Sequence, residues 1–78
     1  MDDRRLWQIA DPSAPGATID CVMVSCCAGA ELQLRRTAAP GVEPEIVLRE
    51  LYPSKSDLYE RSRLLQAEYA ASRCNQIT

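Results

Sequence analysis

Four cysteines, at positions 21, 26, 27 and 74, are the residues of this chain with the widest chemical range, and the chain contains no histidine. A structural zinc site draws four Cys or His ligands from paired short spacings, and no C-x-x-C pair occurs here. Cys26 and Cys27 are adjacent in a stretch that reads as strand, so they point to opposite faces and do not converge on one ion. No metal and no cofactor is therefore expected. Thiol chemistry is the remaining use, and Cys21, Cys27 and Cys74 would carry it in a redox-active or metal-responsive protein. The plainer expectation is that the cysteines stay reduced, with Cys26 packed as a small hydrophobe under a helix and Cys21 and Cys27 on the opposite face.

Other catalysis is poorly provided for. Without histidine, a nucleophilic Cys or Ser lacks its usual base. Glu31 and Glu50 could pair across neighbouring strands, but exposed strand carboxylates are nearly always solvated surface. Gly16, Gly29 and Gly41 are isolated turn residues rather than a phosphate loop. The chain is not expected to be an enzyme.

The element that must position these residues runs from Ile19 to Arg36 and has the pattern of a β-hairpin. Alternation puts Val22, Val24 and Cys26 on one face, and Cys21, Met23, Ser25 and Cys27 on the other. On the second arm Leu32 and Leu34 oppose Glu31, Gln33 and Arg35. An odd loop of three or five residues centred on Gly29 pairs Val24 with Leu34 and Cys26 with Leu32. A two-residue loop at Ala28-Gly29 would instead set Val24 against Gln33. The odd loop is expected, with the Val22 face inward and a mixed strip of Cys21, Met23, Cys27 and Arg35 outward.

Residues 1–5 read as a mobile charged lead-in, and Leu6–Ala10 as a short strand with Trp7 and Ile9 on one face. Asp11–Gly16 and Thr37–Glu45 are loop chemistry, with Pro40-Gly41 as a turn. Ile46–Tyr52 reads as a further strand whose Ile46, Leu48 and Tyr52, with Glu50 among them, face inward, while Val47 and Leu51 lie outward with Arg49 and would extend the mixed strip. Pro53 ends it. Ser54, with Asp57 three residues on, opens a helix to about Ser72, and Ser56 is the alternative cap. Leu58, Ser62, Leu65, Tyr69 and Ser72 form its buried stripe, with Leu64 on the flank. Residues 73–78 are a patternless tail. The architecture expected is α+β: one domain over residues 1–78, an antiparallel sheet of three to four strands within 6–52, and one C-terminal helix, 54–72, on one face.

Composition narrows the class further. In 78 residues there are ten alanines, one Trp, three Tyr and no Phe. Large core formers are scarce, and chains this small often gain stability by associating. A net charge of −2 argues against a nucleic-acid or anionic-membrane footprint. No apolar run reaches the roughly 20 residues of a membrane span, and no signal segment is evident. The chain reads as soluble and cytoplasmic.

Trp7-Gln-Ile, the Ile19-x-Cys21-x-Met23 strand, Glu31-Leu-Gln-Leu34 and Leu51-Tyr-Pro-Ser-Lys55 before an Arg- and Glu-rich helix together resemble a loose group of short bacterial proteins. In these a Trp strand, a cysteine strand and a Gly-Glu strand precede a final helix that follows an aromatic-Pro-Ser/Thr step. The resemblance implies strands followed by a helix and no particular activity. The function expected is a non-enzymatic protein-interaction module, acting as a homodimer or as a partner-binding adaptor or inhibitor. Its contact surface would be the sheet face away from the helix, through Cys21, Met23, Cys27 and Arg35.

Overall fold

In the computed structural model, which describes residues 3–26 and 29–75 (side chains to residue 71), four strands precede one helix. They are β1 (Asp3–Ala10), β2 (Thr18–Cys26), β3 (Gly29–Thr37), β4 (Glu45–Tyr52) and α1 (Lys55–Asn75). The strands form one antiparallel meander in the order β1-β2-β3-β4, and α1 packs on one face, so the fold is α+β. Strand β1 begins within the segment expected to be a mobile lead-in: Asp3, Arg4 and Arg5 already pair with Val24, Met23 and Val22.

The β2–β3 register departs from the one expected. Cys26 pairs with Gly29, so only residues 27 and 28, outside the described residues, separate the strands. Met23 faces Leu32 and Cys21 faces Leu34, while Val24 faces Glu31 and Val22 faces Gln33. Strand β3 has one apolar set, Leu32 and Leu34, and whichever β2 residues align with it go under the helix. The connection has an even count, and the set so aligned is Ile19, Cys21 and Met23.

Three rows across all four strands, Arg4–Met23–Leu32–Glu50, Trp7–Cys21–Leu34–Leu48 and Ile9–Ile19–Arg36–Glu45, and a shorter one, Ser25–Ala30–Tyr52, therefore build the helix-side face. Two bulges shape them. In β1 the register steps from Arg5 to Trp7, so Leu6 and Trp7 both lean onto the core. In β4 it steps from Leu48 to Ile46, so Ile46 pairs with Arg35 on the other face. Leu48 and Tyr52 pack against the core as expected; Ile46 is turned outward by the bulge and is exposed.

Helix α1 presents Leu58, Ser62, Leu65 and Tyr69 to the sheet, positions that recur on one side every three to four residues. Burying Leu58 and Leu65 contributes about 1.5–3 kcal/mol each. The Ser54 carbonyl accepts the Leu58 N–H at 3.3 Å, which makes Ser54 the N-cap, although its hydroxyl pairs with the Ser56 hydroxyl at 2.8 Å. Trp7 Nε1 donates to the Ser62 carbonyl at 3.1 Å and its ring lies 6.5 Å from that of Tyr69, tying β1 across the sheet to the helix.

At the opposite end of the sheet from the β2–β3 connection, Ala39-Pro40-Gly41-Val42 forms the expected turn. Val42 N–H donates to the Ala39 carbonyl at 3.1 Å, and Gly41 has φ +84°, the signature of a type II turn. Ala14-Pro15-Gly16-Ala17 repeats that hydrogen bond at 3.1 Å in the neighbouring loop.

Gly29 has φ +138°, and a Cβ there would lie 2.3 Å from the Tyr52 carbonyl oxygen and 2.9 Å from Pro53 Cα, both backbone atoms. The β4-to-helix corner fits only against a residue without a side chain. Gly29→Ala is expected to cost at least about 1–3 kcal/mol, read as a lowered urea midpoint. An unchanged midpoint would show that the corner moves freely.

Candidate interaction surface

The face away from α1 is built from three rows: Asp3–Val24–Glu31–Leu51, Arg5–Val22–Gln33–Arg49 and Gln8–Asp20–Arg35–Ile46. A polar chain crosses it. Arg35 donates to Gln33 Oε1 from Nε at 3.0 Å and from Nη2 at 2.8 Å, and its Nη2 also reaches Asp3 Oδ2 at 3.2 Å. Gln33 Nε2 donates to Glu31 Oε1, and Arg49 Nε stands 3.5 Å from the same oxygen. These long side chains lie over the middle of the sheet, leaving Val22 only 5% and Gln33 only 6% exposed with no second layer above them. Paired with Arg35 on this face, Asp20 has its Oδ1 buried without a hydrogen-bond partner among the described residues.

The contact strip expected from the sequence is therefore reassigned. Cys21 and Met23 lie in the core beneath the helix, at 0% and 5% exposure, because the register aligns them with Leu34 and Leu32. Arg35 does belong to the open face. Cys27 and the Cys74 side chain lie outside the described residues. Cys26, expected inside, is exposed near the end of β2. Burial pushes the Cys21 thiol up to about 11, which removes it from thiolate chemistry at neutral pH.

Glu31 and Glu50 do not form a carboxylate pair, since they occupy opposite faces of the sheet. Glu50 sits on the helix side, accepting from Tyr52 Oη at 2.6 Å and from Arg61 Nε at 3.2 Å. The Tyr52 bond, with the Arg61 contact, outweighs partial burial and holds Glu50 below the usual carboxylate range; the same bond raises Tyr52. Asp11, inside the β1–β2 loop, is opposed by burial but receives the Ser13 N–H, Arg36 Nε at 2.6 Å and the Ser13 hydroxyl, and the bonds win. Its carboxyl is held low. Among the described residues no group of three or more His, Cys, Asp or Glu could hold a metal ion, and no helix is long and apolar enough to cross a membrane.

The sequence places Val47 and Leu51 on the outer side of β4; what it does not show is how much apolar surface gathers there. Of six exposed large hydrophobic residues among those described, Val42, Ile46, Val47 and Leu51 lie on β4 or in the loop leading into it, Leu51 at 58% exposure. Beside them, between α1 and the sheet, runs an open groove of about 570 Å³ lined by Leu34, Leu48, Arg61, Leu65, Glu68 and Tyr69. The signal was present in sequence as Ile46-Val47 and Leu51, but the bulge that places Ile46 outward was not. In comparisons with family models, curated proteins and solved structures, nothing matches this chain.

Two predictions test this assignment of faces. Met23→Asp places a carboxylate in the core, at several kcal/mol against a total stability of about 5–15 kcal/mol for a small domain. Its expected result is loss of the cooperative thermal transition; a fold left intact would return Met23 to the surface. For acid, Asp11 and Glu50 have folded-state pKa values below their ordinary values of 3.8 and 4.5. Their contribution is complete above those values and declines as pH falls through the lowered ones. Urea midpoints should drop below about pH 4.5, and Asp11→Asn should flatten that drop; equal slopes in both proteins would count against the Asp11 lock.

Proposed function

We propose that this chain is a small non-enzymatic protein-interaction module whose contact surface is the β4 margin of the sheet, where the open face meets the exposed edge. The observation that carries the reading is the grouping of Val42, Ile46, Val47 and Leu51 along one margin. Single exposed apolar residues are ordinary, whereas a contiguous set on an edge strand is the pattern of a contact surface. The centre of the open face is less suited to this role, because its charged side chains already satisfy one another. Arg35 and Arg49, with Glu31, supply a polar rim of the kind that borders apolar contact patches.

The non-enzymatic part of the reading rests on the chain's lack of histidine and on the engagement of Asp11, Glu31 and Glu50 with arginines. The alternative, a thiol-based redox or metal-responsive role, loses support with Cys21, whose thiol is enclosed by the core. The partner is a protein, either a second copy or another chain.

Light scattering behind size exclusion, over a concentration series with and without reductant, is the first test. Association is expected to be independent of reductant. Val47→Asp with Leu51→Asp, both at exposed positions, should weaken it by about tenfold or more (1.4 kcal/mol) without changing the circular dichroism. Association untouched by both substitutions would refute the β4 margin, and association lost on reduction would return the argument to the cysteines.

A further inference from the structure

The geometry points to a second copy of this chain as the occupant of the groove beside α1, docked through an antiparallel pairing of the two helices about a two-fold axis. This assignment rests on the interaction-module reading and specifies its partner.

The helix has two distinguishable flanks. Toward β1, the Ser62 carbonyl is taken by Trp7 Nε1 and Tyr69 meets the Trp7 ring, so that flank is closed. Toward β4, Arg61 pairs with Glu50, and the groove lies open between α1 and the Leu34–Leu48 row. Arg61, Leu64, Glu68 and Ala71 succeed one another on this flank at spacings of three and four residues, which superpose along a helix. Leu64 is 56% exposed, more than Tyr59, the other exposed large apolar side chain of α1 among the described residues, and stands between a cation and an anion.

That order is self-complementary. Arg61 and Glu68 are two turns apart, about 10.5 Å along the axis. When two such helices run antiparallel with the two-fold level with Leu64 and Leu65, each Arg61 comes level with the Glu68 of the other copy. A parallel arrangement in register would instead oppose like charges. The two Leu64 side chains, which border the outer depression with Tyr59, Glu60, Arg63 and Ala67 rather than the groove itself, then meet beside the axis. Two-fold contacts of this kind use one patch twice, so a short charge-and-leucine pattern suffices to define them. Within its own chain Arg61 donates Nε to Glu50 and also feels the charge of Glu68.

The experiment is sedimentation velocity on the full chain over a concentration series. The wild type should form a dimer, and Leu64→Asp and Glu68→Arg should each weaken it at least tenfold with unchanged circular dichroism. Glu68→Arg mixed with Arg61→Glu should restore a dimer that neither forms alone, because the mixture regenerates both opposite-charge contacts. Arg61→Glu also faces Glu50 and risks the fold; if it fails to fold, Leu64→Asp and Glu68→Arg still decide. A monomer at every concentration overturns the inference while leaving the β4 margin open to a different protein. A dimer sensitive to Val47→Asp with Leu51→Asp but indifferent to Leu64→Asp and Glu68→Arg also overturns it, and leaves the module reading standing.

Discussion

The register between β2 and β3 is the constraint from which the rest of this structure follows. Strand β3 offers one apolar set, Leu32 and Leu34, and the helix must cover it with Leu58 and Leu65. Strand β2 offers two, Ile19–Cys21–Met23 and Val22–Val24, and either could complete the core. Pairing Cys26 with Gly29 selects the first. That single choice buries the thiol of Cys21, sends Val22 and Val24 to the open face, and places Gln33 at its centre. The corner at Gly29 supports the choice, because the Tyr52–Pro53 backbone passes where a side chain would stand.

The consequence for the open face is a division of labour between packing and charge. Val22 needs cover, and no second layer provides it. The stems of Arg35, Gln33 and neighbouring side chains do so, while their polar ends bond to one another and to Asp3 and Glu31. Exposed ion pairs of this kind contribute little each, typically under about 1 kcal/mol. Their effect is to keep a half-apolar face wet in its middle. The apolar surface that remains lies at the β4 margin, where the chain of bonds ends at Arg49.

Much of the architecture was legible in sequence, for reasons that can be located. Pro53 and Ser54 marked the helix start, the spacing of Leu58, Ser62, Leu65 and Tyr69 marked its inner side, and Pro40-Gly41 marked its turn. Alternation divided each arm of the hairpin into the right pair of faces. What alternation does not encode is which face is inner when both are partly apolar. A loop centred on Gly29 aligned Val24 and Cys26 with Leu34 and Leu32, whereas pairing Cys26 with Gly29 aligns Cys21 and Met23 with them instead. The two bulges were equally invisible, since neither is marked by glycine or proline at the extra residue. Leu6 and Val47 are apolar residues in apolar runs. Only pairing with a neighbour shows that one is surplus, and each bulge redirects the residues beyond it.

The same bulges explain why the two edges of the sheet differ in character. The β1 bulge brings Leu6 and Trp7 together on the helix side, and Trp7 then reaches the Ser62 carbonyl, so the β1 edge is fastened to the second layer. The β4 bulge acts in the opposite sense, taking Ile46 away from the helix and leaving Leu48 alone to line the floor between α1 and the edge. A bulge also spoils the regular pattern of free N–H and C=O groups on an edge, which discourages simple strand addition along β4. Side-chain packing is then the mode of contact left to this margin. An apolar groove, a flanking leucine and opposite charges two turns apart suit a helix better than they suit an extended strand. The asymmetry that fastens one edge and opens the other is thus set by where a single extra residue falls in each outer strand.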